Sequence, residues 1–132
     1  MDIKTYDFLC IISSFLALVL LLVMKYKFTY CGIFIFAAIF SLIWRTYRFN
    51  TGSNQNHILF YLDLLFALLT IYSCCFSPEI SMIAVGVIVA LMILSWTLKF
   101  MNNIPASNIV HCSAHYLIIG YLLVCFFNSV DR

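Results

Sequence analysis

Three residues of this chain pair chemical capability with apolar surroundings: Asp63, His111 and His115. Asp63 is the single charged residue in the hydrophobic run 58–76. His111 and His115 are four residues apart, a spacing that places two side chains one above the other on a helix. Two imidazoles so arranged can hold one Zn²⁺. A third ligand, Asp63 or His57, would leave a position for an activated water. In that scheme His111 and His115 are the candidate metal ligands and Asp63 the candidate catalytic residue, as ligand or base. The alternative is structural. A carboxylate in the middle of a membrane helix costs about 2.5–3.5 kcal/mol, so Asp63 needs a partner or stays protonated. Arg45 is the first candidate and either histidine the second. Such a pair locks helices together without doing chemistry and needs no cofactor. HxxxH without the Glu of HExxH recurs by chance, so the structural alternative is favoured. A third possibility is a proton or ion pathway through Arg45, Asp63 and the histidines.

The elements that must position these residues are apolar. Hydrophobic residues make up 65% of the 132-residue chain and charged residues 9%, against roughly 45–50% and 25% in soluble domains. Five runs carry this composition, at 8–24, 28–44, 58–76, 80–98 and 105–127. Each approaches the roughly 20 residues a helix needs to cross a bilayer, and none alternates with the period of a strand. The expected fold is an all-α integral membrane protein, one domain over 1–132, built as a bundle of five transmembrane helices. It would have four if the second run is not fully inserted. Ser53 is expected to cap the third helix, and Ser77-Pro78-Glu79 to start the fourth. The short turn between runs three and four predicts that they are antiparallel neighbours.

Alternating direction brings the polar residues together. Ser41 and Arg45 close run two, His57 and Asp63 open run three, and Asn108, His111 and His115 open run five. All lie on the N-terminal side, forming a predicted polar cluster of Ser41, Arg45, His57, Asp63 and Asn108 beside the histidines. Ala37, Ser41, Arg45 and Arg48 share one helical face. Asp63, Ala67, Thr70 and Cys74 share another. Small residues on such stripes allow membrane helices to approach closely. Gly86 and Ala90 form a similar pair, expected to pack inside the bundle. Trp44, Trp96, Tyr26, Tyr30 and Tyr47 are expected as interface anchors.

The remaining features exclude more than they identify. The net charge of +2 comes from scattered cations, with no basic cluster suited to nucleic acid. Lys4, Arg45, Arg48 and Lys99 would face one side and Lys25, Lys27 and Arg132 the other, a slight preference for an inside N-terminus. The first run lacks the basic start and cleavage site of a signal peptide, so it reads as a retained span. The six cysteines lie in or beside the runs and are expected to act as small hydrophobes.

His111-Cys112-Ser113-Ala114-His115 with Gly120 resembles the late HxxxH helix of the alkaline ceramidase and adiponectin-receptor superfamily of membrane hydrolases. The resemblance would make Asp63 that family's intramembrane acid, and Ser53 and His57 its S-x-x-x-H. It covers only these few residues. The family has seven spans, and its first histidine precedes the Asp helix, whereas here His57 and Asp63 share one run. The likeness does not amount to membership.

The expected role is therefore a small accessory or structural membrane protein, such as an assembly or envelope component. Its partners would be the lipid bilayer and a membrane protein or a second copy. A metal-dependent lipid hydrolase and an ion pathway are the alternatives. Abundant Phe, Ile, Tyr and Asn fit an AT-rich viral or organellar genome.

Overall fold

A computed structural model describes residues 3–24, 31–52, 57–76 and 80–130. It is all-helical, with no strand among these residues. The helices are α1 (Ile3–Val23), α2 (Cys31–Thr51), α3 (His57–Cys74), α4 (Met82–Phe100) and α5 (Ile104–Val130). Each contains a stretch long and apolar enough to cross a membrane.

The helices do not coincide with the hydrophobic runs. α1 begins at Ile3 rather than residue 8, so Asp7 lies inside it. α2 extends to Thr51 rather than stopping at 44, so Arg45 and Arg48 are helical. Both extensions have one cause: Asp7 and the two arginines satisfy each other and need no water. Gly52 ends α2 with φ 67° and donates its N–H to Arg48 O at 2.8 Å, a left-handed position suited to glycine. Ser81, not Ser77, caps α4, accepting from Ala84 N–H at 3.4 Å. Residues 77–79, Ser53, Lys25, Tyr26 and Tyr30 lie outside the described residues.

α4 and α5 are joined with almost no loop. Asn102 adopts φ 61°. Its N–H bonds Lys99 O at 3.1 Å and that of Asn103 bonds Leu98 O at 2.9 Å, the paired closure of a Schellman end. Asn103 then starts α5, its Oδ1 accepting from Ala106 N–H at 3.4 Å. Just inside this turn Ser95 Oγ donates to Ser107 O at 3.0 Å and Ser107 Oγ to Ser95 O at 2.7 Å. Both serines are buried. Double-mutant cycles on Ser95→Ala and Ser107→Ala should give a coupling energy of about 0.6–1.7 kcal/mol, read from thermal unfolding. Strict additivity would show that the hydroxyls do not cooperate.

The helices pack as an arc in the order α3, α2, α1, α5, α4. The expected α3–α4 pairing is corrected: those two barely touch. Their inward faces carry short side chains, Ala67 and Thr70 against Ala84 and Val85, and these border a cavity instead of meeting. Aromatic contacts hold α3 to α2, with Phe66 stacked on Phe40 at 4.8 Å and Phe60 edge-on to Trp44 at 5.8 Å. Trp44 is therefore interior, 2% exposed, and not an interface anchor. Trp96 is exposed. Gly86 and Ala90 face outward rather than into the bundle.

Polarity is inverted relative to a water-soluble bundle. Asp7, Ser13, Ser14, Ser41, Arg45, Ser95 and Ser107 are buried, while Ile83 is 82% and Phe100 90% exposed. Away from the polar end, Leu21, Phe34, Ala38, Ile80 and Leu122 form an apolar core.

Candidate functional site

The polar end is organised by an acid outside the predicted cluster. Asp7 is 1% exposed. Arg48 Nε donates to its two carboxylate oxygens at 2.9 and 3.1 Å, and Arg48 Nη2 also donates to Oδ1. Arg45 Nη1 lies 3.5 Å from the same oxygen. The Tyr6 ring packs against both guanidiniums, at 4.8 Å from Arg45 and 5.6 Å from Arg48, a cation–π arrangement favoured away from water. Helical spacing makes this possible. Asp7 lies one turn inside the start of α1, and Arg45 and Arg48 sit within the last two turns of α2.

Arg45 also sets the polarity of a histidine chain. Its Nη2 is 3.4 Å from His111 Nε2, which is 3.0 Å from His115 Nε2. His115 Nδ1 is 3.1 Å from Ser13 Oγ. A guanidinium only donates, so His111 Nε2 must accept. His115 Nε2 is then the donor to it, and His115 Nδ1 is left as the acceptor for the Ser13 hydroxyl. Ser13 Oγ is also 2.9 Å from Cys10 O, and its single proton serves both acceptors. Proton shifts along the two imidazoles end at Arg45, which does not release its protons.

Among the described residues no third His, Cys, Asp or Glu completes a ligand set. The Arg45 guanidinium also occupies the nitrogen that would face the ion. Zinc should therefore leave the melting temperature of the purified protein unchanged, and a chelator should do the same. A zinc-induced rise that His115→Ala abolishes would show that the pair rearranges to bind metal.

The other predicted residues are distributed around a cavity of about 550 Å³ that all five helices line. Asp63 is half-buried on its wall and, among the described residues, makes no hydrogen bond or ion-pair contact. Neither Arg45 nor a histidine is its contact partner. Asn108 lines the same wall, half-buried and also without a hydrogen bond. Ser41 Oγ meets Ser14 Oγ at 3.0 Å. His57, the first residue of α3, is exposed and does not line the cavity. The stripes Ala37–Ser41–Arg45 and Asp63–Ala67–Thr70–Cys74, with Asn108, His111 and His115, all border this space. They surround a void rather than closing helices onto each other.

The residues missed from sequence are Tyr6, Asp7, Ser13 and Ser14. Their signal was spacing: Asp7, Cys10, Ser14, Ala17 and Leu21 recur at three to four residues, a small and polar face on α1. The cavity is amphipathic. Arg45, Asp63, Asn108 and the histidines lie at one end, and Leu21, Phe34, Ile71, Ile118 and Leu122 line the other. No family model matches the chain, and neither a curated protein nor a solved structure does.

Proposed function

We propose that this is a multi-pass membrane protein with an accessory role, whose bundle houses one lipid-like amphiphile. One observation carries the proposal: the cavity is polar at one end, apolar at the other, and bordered by all five helices. Its volume of about 550 Å³ lies within the roughly 300–1,000 Å³ of small-molecule sites. Two further features support it. The outward faces are rich in Ile, Leu and Phe, as in a bundle solvated by acyl chains. The sparse α3–α4 contact leaves one side of the cavity weakly sealed, a lateral route for a chain already dissolved in the bilayer. The buried Asp7–Arg45–Arg48 cluster holds α1 to α2 and, through His111, to α5.

The test is mass spectrometry of protein purified in mild detergent under non-denaturing conditions. A bound amphiphile in near-stoichiometric amount, retained after detergent exchange, is the expected result. Protein that carries none, and takes up none on adding single-chain amphiphiles, would refute the proposal.

A further inference from the structure

The cavity is open at its polar end and blind at its apolar end. Around the polar opening Ile3, Lys99 and Ile104 line it and are exposed. At the opposite end Leu21, Phe34, Ile80 and Leu122 line it and are buried. Met24, Cys31 and Cys125 belong to the same core cluster but do not border the cavity. They stand behind the four lining side chains, so the core forms a floor. The gap between α3 and α4 does not bypass this floor, because Cys74 of α3 and Val85 of α4 both pack against the cluster.

Side-chain size sets where the floor stands. Ala17, Ala38 and Ala84 line the cavity four residues from Leu21, Phe34 and Ile80 respectively, each on the side toward the polar end. Short side chains leave the space between the helices empty. The longer side chains at the next level meet and fill it.

The depth follows from helical rise. Asp63 and His111 mark the polar level of the wall. Eleven residues separate Asp63 from Cys74, and eleven separate His111 from Leu122. At 1.5 Å per residue each interval is about 16 Å. Half of a bilayer's hydrocarbon core is about 15 Å, the depth one leaflet gives to an acyl chain of about sixteen carbons. A chain of that length anchored at the polar level brings its terminal methyl to the floor. A shorter chain leaves part of the apolar wall without contacts. A longer one must fold back or push its head group out of the polar end.

Resting on the amphiphile-binding role proposed above, we infer that Leu21, Phe34, Ile80 and Leu122 are a chain-length ruler, which selects a tail of about sixteen carbons. The ruler acts on the tail alone and is indifferent to the head group.

Saturated monoacylglycerols of ten to twenty-four carbons, offered in equal amounts to the purified protein and read as adducts by native mass spectrometry, test it. A lysophosphatidylcholine series repeats the measurement with a different head. Both series are expected to peak near sixteen carbons and to fall at least fivefold by twenty-four. Phe34→Ala lowers the floor and should move the peak to longer chains, and Leu122→Ala repeats that test from α5. Ala17→Phe raises the floor by one turn, about 5.4 Å, and should move the peak to about twelve carbons. The position of the peak is the readout, because a loss of folding lowers adducts at every length without shifting it. Adducts that rise steadily with chain length, peaks that differ between the two heads, or a peak unmoved in all three variants would overturn the ruler and leave the amphiphile site standing. Absence of adducts at every length in the wild type would remove the site itself.

Discussion

Asp7→Ala is expected to be the most damaging single substitution at the polar end, lowering stability by about 3–5 kcal/mol, because it strands buried charge without its counterion. The carboxylate is 1% exposed and contacts both Arg45 and Arg48. Its loss leaves two guanidiniums packed against the Tyr6 ring without their shared counterion. Asp7→Asn keeps an acceptor but not the charge and should fall between wild type and Asp7→Ala. Asp63→Ala is the informative comparison. With no hydrogen bond or ion-pair contact among the described residues to lose, it should change stability by less than about 1 kcal/mol, typical of a change that breaks no network. Thermal unfolding in one detergent, followed by circular dichroism, compares the series. Equal losses from the two alanine variants would mean that Asp63 shares in holding the bundle together.

Filling the cavity should have the opposite signature. Ala67 lies on the wall near Asp63. Ala67→Trp introduces a large indole into space that no side chain occupies. Amphiphile retention should fall more than tenfold, equivalent to about 1.4 kcal/mol or more. The melting temperature should hold or rise, because the indole gains contacts that the void withheld. Retention undiminished in Ala67→Trp would place any bound amphiphile on the outer surface instead.

The two substitutions mark what composition and spacing reveal and what they do not. The five helices were legible because a window of apolar residues long enough to span a bilayer has few competing explanations. The gathering of Arg45, Asp63, Asn108 and the histidines near one end was legible from alternation of direction alone. The identity of the buried acid was not. Asp7 precedes the apolar run at residue 8, and a count of hydrophobic residues places it outside the helix. A run measures freedom from charge, whereas a helix ends where its backbone groups lose their partners. Two arginines from a distant segment extended α1 and α2 past the limits of their runs. The separation of α3 from α4 was equally hidden. A short connection fixes where two helix ends lie, but the width of the gap between their axes depends on the size of the residues facing inward. Trp44 shows the same limit. Its position at the end of an apolar run suggested a water-facing anchor, yet α2 continues for two further turns, which moves the indole inside.

The Asn102–Asn103 junction bears on how the chain is made. α4 and α5 touch along their length, are clasped by serines only twelve positions apart and are linked by a turn with no slack. Such a pair can zip up during synthesis, before any distant segment is required. The remaining work of assembly would then be the docking of a finished hairpin against α1, in the way a hinged panel is hung on an existing frame. Lengthening that turn with a flexible insert should slow maturation of the nascent protein far more than it alters the finished bundle.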